Sequence, residues 1–185
     1  MSMTKEAIAK FKEQMGWVGS VYRLTFPDGR VYVGQTMQNV EGRWKEGKAY
    51  KECGEIFDAI VWFGWKNITK EILHSGLSRL QAYYYERKTI EEMRSDEKGK
   101  GFNGNKGRKY GKFEVAFILS RWRGTKADVC TTYVESDEYD DFKNPMYVST
   151  RERLYKMEKI DDFIFYGTPT KEIPKEYEMW LHLEE

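Results

Sequence analysis

The amino-acid sequence predicts an α+β protein, a small mixed β-sheet flanked by helices, with a C-terminal α+β extension packed on it. Two segments rich in β-branched and aromatic residues, 17–26 and 30–36, are typical of paired strands. Segments with apolar side chains at helical spacing lie before and after them in the chain. The chain has 185 residues, of which 40% are apolar and 33% charged. This length and composition favour a folded domain with a substantial extension and argue against a disordered chain.

The first elements of the chain are a helix and a hairpin. Residues 4–15 place their apolar side chains on one side of a predicted amphipathic helix. The two strands that follow, 17–26 and 30–36, are joined by Pro27-Asp28-Gly29. Proline presets φ at one turn position and glycine relieves the turn at another, so these residues predict a tight connection.

Helices and a third strand complete this part of the chain. Asn39 is a suitable N-cap for a short helix through Trp44. The sequence predicts an apolar helix at 55–63, a third strand at 68–76 and the longest helix at 78–94, which lacks Gly and Pro. Four large apolar side chains of these elements are expected in the core: Trp44, Phe57, Ile60 and Trp62.

The last third of the chain is expected to form a small α+β addition. Strands are predicted within 113–122, 129–134 and 163–167, and helices at 149–160 and 174–184. The segments FEVAFIL and FIFYG are too apolar to stay in water, so we expect this part to pack on the first.

The net charge of +1 hides two oppositely charged parts. Residues 1–112 hold 21 Lys and Arg against 14 Asp and Glu, a balance of +7, whereas residues 113–185 hold 10 against 16, a balance of −6. We therefore predict two domains with this boundary, the second an acidic extension. A glycine-rich basic segment at 98–112 is suited to phosphates, and an acidic run lies at 135–141. The near-neutral total thus does not exclude a nucleic-acid partner.

Several classes of protein are disfavoured. No stretch approaches the roughly 18 apolar residues of a membrane-spanning helix. Two cysteines, Cys53 and Cys130, are too few for a disulfide framework, so we expect a reducing, cytoplasmic location. With His74 and His182 they do not form a zinc-finger spacing, and none of these four residues is assigned a role.

Polar side chains that can carry chemistry recur near the predicted hairpin. Tyr22 and Tyr32 lie on paired strands, where alternate residues share a face. Arg43 lies on the short helix that must pack back on this hairpin. Glu86 lies at the border of the buried face of the longest helix, and Asn103 lies in the basic glycine-rich turn. Each residue alone has an ordinary structural explanation, but their joint order favours a functional site.

This ordered set resembles the core of the GIY-YIG nucleases over roughly residues 18–108. The matching segments are VYRLTFPDGRVYVGQT at 21–36, RW at 43–44, DAIVWFG at 58–64, EIL at 71–73, ERKTI at 86–90 and GFN at 101–103. Each segment alone is a weak signal, whereas the set with these spacings is a strong one. The resemblance implies a GIY-YIG-like core and a phosphodiester-cleaving endonuclease.

The resemblance also implies roles for the five residues. Tyr22 would be the general base, aided by Tyr32, and Arg43 would stabilise the scissile phosphate. Glu86 would bind Mg²⁺ or Mn²⁺, because a hard cation that keeps several waters needs few protein carboxylates. Asn103 would order the site or contact phosphate. A phenol has a pKa near 10, so we expect Arg43 and the metal to depress the pKa of Tyr22.

The sequence departs from the family pattern at two positions. Ser20 stands where the first motif begins with Gly. Gly47 stands four residues after Arg43, where many members carry His or Tyr. Either Tyr50, Lys45 or Lys48 replaces the contact made there, or no residue does.

DNA is the expected partner, and the basic surface is the expected binding site. The candidate nucleic-acid-binding residues are Lys45, Lys48, Lys100, Asn105, Lys106, Arg108 and Lys109. The alternative is a catalytically silent module that keeps the fold and binds nucleic acid or protein. The acidic last third could be a solvated surface, an autoinhibitor, or a docking surface for a second copy or a protein partner. Small members with such an extension often belong to phages or mobile elements.

Overall fold

The computed structural model describes residues 3–109, 111–121, 127–135, 146–173 and 180–183. The chain divides into two compact units, Ala9–Tyr110 and, together with Met1–Ile8, Gly111–Glu185. Within the described ranges, no helix has both the length and the apolar character needed to cross a membrane.

A three-stranded antiparallel sheet forms the centre of the first unit. Its strands are β1 (Gly19–Thr25), β2 (Val31–Thr36) and β3 (Thr69–Leu77), in the order β2-β1-β3. All three predicted strands are thereby confirmed. The central strand β1 has a neighbouring strand on each edge, and its residue Tyr22 is wholly buried. Ser20 is accommodated beside a register shift at the start of β1.

The four helices predicted before residue 95 are also confirmed. They are α1 (Lys5–Gln14), α2 (Val40–Trp44), α3 (Glu55–Phe63) and α4 (Arg79–Met93). Asn39 caps α2 as expected, because its Oδ1 accepts a hydrogen bond from the Glu41 backbone N–H at 2.9 Å. A capping box between Ser78 and Gln81 begins α4. These caps fix where Arg43 and Glu86 stand along their helices.

The core of the first unit lies between one face of this sheet and α3. Its buried members include Tyr22, Leu24, Phe26, Tyr50, Ile56, Ile60 and Ile68, with Trp44 and Phe57 packed against them. The expected core position of Trp62 is wrong, because its side chain is 83% exposed. The buried stripe of α3 runs through Ile56 and Ile60, and Trp62 points away from that stripe.

A six-stranded sheet forms the second unit. Its strands are β4 (Lys112–Ser120), β5 (Ala127–Glu135), β6 (Met146–Ser149), β7 (Leu154–Asp161), β8 (Ile164–Thr170) and β9 (Trp180–His182). They stand in the order β5-β4-β8-β7-β6-β9. The strands predicted within 113–122, 129–134 and 163–167 are confirmed. The extension is a β-structure in its described residues.

The helix predicted at 149–160 is wrong, because this segment contains β7, which pairs with β8. Tyr155 and Met157 are buried two residues apart, which is the period of a strand. Of the second predicted helix, residues 174–179 lie outside the described residues and 180–182 form β9. Most of the acidic run, residues 136–141, also lies outside them, while Glu135 forms an ion pair with Lys112 at 3.2 Å.

Candidate active site

The two tyrosines of the hairpin meet at a glycine. Tyr22 on β1 lies opposite Gly34 on β2. A β-carbon at Gly34 would stand 2.6 Å from the Tyr22 hydroxyl oxygen and 3.0 Å from Cε1 of Tyr32. Such distances leave no room for any other residue, so Gly34 permits both phenols to occupy the same end of the sheet.

A third tyrosine joins them from the segment after α2. The hydroxyl oxygens of Tyr22 and Tyr50 are 2.8 Å apart, within hydrogen-bonding distance. The rings of Tyr32 and Tyr50 meet edge to face, with centroids 5.5 Å apart. Trp44 packs edge to face on Tyr22 at 5.5 Å. The three phenols therefore form one packed group.

Arg43 brings a cation to this group from the last turn of α2. Its guanidinium carbon lies 5.0 Å from the centroid of the Tyr50 ring, in a cation–π contact. Among the described residues, Arg43 forms no ion pair with a carboxylate. A half-buried guanidinium without a carboxylate partner is suited to an anionic ligand such as phosphate.

Glu86 supplies the carboxylate from α4. Burial raises the pKa of Glu86 to about 7, against the opposing effects of Arg108, a hydrogen bond from the Gln35 backbone N–H, and Arg43. Desolvation disfavours the charged form of a carboxyl group, so a cation bound beside Glu86 would stabilise its carboxylate. Arg43 and Glu86 both act electrostatically on Tyr22 and on Tyr32, which brings four of the five predicted site residues together.

Burial raises the pKa of Tyr22 above 10, although the hydrogen bond with Tyr50 and the charge of Arg43 both lower it. Burial also raises the pKa of Tyr32. Arg43 thus acts on the pKa of Tyr22 in the expected direction, but in the protein without metal the desolvation of the phenolate outweighs it.

Asn103, the fifth predicted residue, orders the hairpin. Its Oδ1 accepts a hydrogen bond from the Val33 backbone N–H at 2.9 Å, and its Nδ2 donates to the Val33 carbonyl at 2.8 Å. Ser95 Oγ donates to the same Oδ1 at 2.8 Å. The amide thus pairs with the outer edge of β2 as a neighbouring strand would, and it holds the strand that carries Tyr32 and Gly34.

Residues 18–103, the span that contains these five side chains, match the family model described as GIY-YIG catalytic domain. Just under half of the chain is therefore similar to the catalytic domain of the GIY-YIG nucleases. No curated protein and no solved structure matches the chain.

The departure from the GIY-YIG pattern at Gly47 has a structural explanation. Lys45, Glu46 and Gly47 all have positive φ, so the chain turns back immediately after α2. A β-carbon at Gly47 would stand 2.8 Å from Cγ2 of Ile60, in the core and not beside the tyrosines. Of the three alternatives for the missing contact, Tyr50 is the one that the structure brings to Tyr22. Lys45 and Glu46 adopt positive φ although neither is glycine, so the sequence does not show that the chain turns here. For this reason the sequence alone did not decide which residue replaces the missing contact.

The seven candidate nucleic-acid-binding residues divide into three groups. Arg108 donates a hydrogen bond to the Tyr83 hydroxyl at 2.8 Å, and its charge acts on Glu86. Lys100 and Asn105 have partners within their own loop, an ion pair with Glu97 at 2.9 Å and a hydrogen bond from the Gly107 backbone N–H at 2.8 Å. The remaining four side chains are exposed: Lys45, Lys48, Lys106 and Lys109.

The donor set of the domain fits a hard divalent cation that keeps most of its water. The described part of the chain has no group of three His, Cys, Asp or Glu residues placed to hold a metal. Glu86 is one half-buried carboxylate, and Mg²⁺ commonly binds one or two carboxylates together with substrate phosphates. Gln35, whose N–H donates to Glu86, also has a buried Oε1 with no hydrogen-bond partner among the described residues. Sequence reasoning missed Gln35, because its backbone makes the contact.

Proposed function

We propose that this GIY-YIG-like domain is a divalent-metal-dependent DNA endonuclease that hydrolyses phosphodiester bonds. The observation that carries the proposal is the packed group of Tyr22, Tyr32 and Tyr50, against which the Arg43 guanidinium lies. Tyr22, Tyr32, Arg43 and Glu86 act on one another although 64 positions separate the first from the last in the sequence. A base, a cation and a metal-binding carboxylate in one place are the parts that phosphodiester hydrolysis requires.

Tyr22 is assigned as the general base. As its phenolate, it takes one proton from the attacking water while the water oxygen bonds to phosphorus. The bond from phosphorus to the leaving oxygen breaks, and that oxygen takes a proton from solvent, so the products are a phosphomonoester and an alcohol. Tyr32 supports Tyr22 or the attacking water from the neighbouring strand.

Arg43 is assigned to the phosphate. Its planar guanidinium presents several N–H donors in a fixed geometry, and two of them match two phosphate oxygens. The contact with the Tyr50 ring holds the side chain at the tyrosines. Arg43 therefore stabilises the negative charge that develops on those oxygens.

Glu86 is assigned as the residue that holds Mg²⁺ or Mn²⁺. When bound, such a cation supplies positive charge that neutralises phosphate oxygens and lowers the pKa of nearby acids. The raised pKa of Glu86 supports this assignment, because burial outweighs the charges of Arg108 and Arg43, and a bound cation would stabilise the carboxylate further.

The exposed lysines near the site are assigned to the DNA backbone. Lys45 and Lys48 follow Arg43 in the chain, and Lys106 and Lys109 flank Arg108. Contacts of this kind release counterions, so the affinity for DNA should fall steeply as the salt concentration rises.

The test is a cleavage assay on supercoiled plasmid and on branched junctions, with Mg²⁺, Mn²⁺ or a chelator, followed by mapping of the cut ends. The full chain should cut in the presence of either metal and not in chelator. Arg43→Ala and Glu86→Ala should lose cutting, whereas Arg79→Ala and Glu92→Ala, which change exposed residues of the same types, should keep it. Parental cutting by both site variants would show that the site is assigned wrongly.

A catalytically silent GIY-YIG module is the alternative function. The observation that favours it is the raised pKa of both Tyr22 and Tyr32, which makes a phenolate scarce at neutral pH. DNA binding without metal-dependent cleavage of any plasmid or junction would select this alternative.

A further inference from the structure

We infer that Tyr50 is a positioning residue for the proposed hydrolysis. Its hydroxyl donates a hydrogen bond to the Tyr22 oxygen and holds that oxygen in place while Tyr22 takes the proton of the attacking water. This inference rests on the proposed function and adds a residue to its site.

The surrounding side chains hold the Tyr50 hydroxyl beside that of Tyr22. Tyr50 is wholly buried, and its hydroxyl oxygen lies 2.8 Å from that of Tyr22. Among the described residues, neither hydroxyl has a second hydrogen-bond partner. The Tyr50 ring is held by Arg43 on its face and by Tyr32 and Trp65 at centroid distances of 5.5 and 6.4 Å. The phenol therefore has little freedom to rotate away from Tyr22.

The direction of the hydrogen bond follows from proton counting. In the neutral pair either hydroxyl can donate to the other. Once Tyr22 is a phenolate it has no proton, so Tyr50 must donate, and a hydrogen bond to an ionised acceptor is stronger than a neutral one. The bond accordingly lowers the pKa of Tyr22 and raises that of Tyr50, in addition to the larger effect of burial on both. Tyr22 therefore keeps a hydrogen-bond donor whenever it is the phenolate.

Other titratable groups also face Tyr22. They are Tyr32 on β2, Arg43 on α2, Glu86 on α4, and Cys53 in the segment that follows Tyr50. Glu86 titrates at about pH 7 in the protein without metal, below the range in which Tyr22 ionises. A pH–rate profile at saturating metal therefore separates the alkaline change due to Tyr22 from that of the carboxylate.

The experiment compares single-turnover cleavage by the full chain with Tyr50→Phe, which keeps the ring and removes the hydroxyl. We expect a rate constant lower by roughly 10- to 100-fold, the loss of a hydrogen bond to a charged group, with unchanged DNA affinity in Ca²⁺. The alkaline midpoint of the rate profile should move to higher pH. Replacement of Tyr50 by 4-aminophenylalanine, which restores a weaker donor at the same place, should recover part of both effects. Tyr84→Phe removes another buried phenol hydroxyl on α4 and should match the parent.

Two results would overturn the inference. One is a Tyr50→Phe rate and midpoint equal to those of the parent. The other is an equal loss in the Phe and 4-aminophenylalanine variants with an unmoved midpoint, since this indicates packing alone. If the Phe variant melts below the assay temperature, the 4-aminophenylalanine variant decides, and parental values in it contradict the inference. Tyr22→Phe separates the two claims, because a fully active Tyr22→Phe enzyme refutes the assigned base, whereas an inactive one with a parental Tyr50→Phe refutes only the role of Tyr50.

Discussion

The Tyr22 phenol occupies the space that a side chain at Gly34 would fill. A β-carbon there would stand 2.6 Å from the Tyr22 hydroxyl oxygen and 2.7 Å from its Cζ. Because Tyr22 is wholly buried and Trp44 packs on its ring, the phenol has little room to move. The close approach of these two residues links the hairpin register to the position of the proposed base.

Gly34→Ala should therefore displace the Tyr22 hydroxyl. We expect a loss of about 1–3 kcal/mol in the free energy of unfolding, as for other overpacked cores, and a fall in cleavage rate of roughly 100-fold or more, as for misplaced reacting groups. Chemical denaturation and single-turnover kinetics measure the two effects. Gly104→Ala is the matched control, because nothing lies within 4 Å of a β-carbon at that position. Full activity in Gly34→Ala would contradict the packing described for Tyr22.

Asn103→Ala should loosen the outer edge of β2. The substitution leaves the Val33 N–H and carbonyl without the partners they have at 2.9 and 2.8 Å. We expect a loss of roughly 1–3 kcal/mol in unfolding free energy, and faster amide exchange at Val33 measured by hydrogen–deuterium exchange. Asn105→Ala, which removes a hydrogen bond within the exposed loop, should change stability far less. If amide exchange at Val33 is the same in Asn103→Ala as in the parent, Asn103 does not hold β2.

Glu86 should make stability depend on pH in the absence of metal. Its pKa of about 7 in the folded protein exceeds its usual value of 4.5, so the folded state binds more protons between these values. The stabilisation is fully present below pH 4.5 and is lost as the pH rises through about 7. Glu86→Gln should therefore melt close to the parent near pH 5 and above it near pH 8 when both are measured in chelator. Glu92→Gln, at an exposed position of α4, serves as the control. A difference in melting temperature that does not vary with pH would contradict the raised pKa of Glu86.

Two tryptophans near α3 should respond differently to truncation. Trp62 is 83% exposed, so Trp62→Ala should change the free energy of unfolding by roughly 0.5 kcal/mol or less, as most surface substitutions do. Trp65 packs on Trp44 and Tyr50, with centroids 6.0 and 6.4 Å apart, so Trp65→Ala should lower it by roughly 2–3 kcal/mol. Urea denaturation of the two variants measures the difference. Equal losses in both would place Trp62 in the core after all.

The predictable part of the first unit has local signals. The hairpin follows from Pro27 and Gly29, α2 from the Asn39 cap, and α4 from a long run of helix formers after Ser78. The order of the five site residues was predictable because it follows the family pattern, and the structure brings Tyr22, Tyr32, Arg43 and Glu86 together. The position of Asn103 against Val33 required the long-range pairing of a loop with β2, which local propensity does not contain.

The wrong predictions have physical causes. In α3 the sequence EIFDAIVWF carries apolar residues on every side, so its pattern does not decide whether Trp62 or Ile60 faces the core. In β7 the residues Lys156, Met157 and Glu158 favour helix, and pairing with β8 overrides that preference. The place of Tyr50 depends on positive φ at Lys45 and Glu46, which side chains of this type rarely adopt.

The central claim is that Tyr22, Arg43 and Glu86 form one hydrolytic site. Its most direct test is the single-turnover rate of DNA cleavage in Mg²⁺ or Mn²⁺ for the parent, Arg43→Ala, Glu86→Ala and the double variant. Groups that act as a unit in catalysis are not additive, so each single variant should lose roughly 1,000-fold or more and the double variant little further. Parental melting temperatures in the single variants establish that the fold is intact. Metal-dependent cleavage at the parental rate in either single variant would contradict the claim.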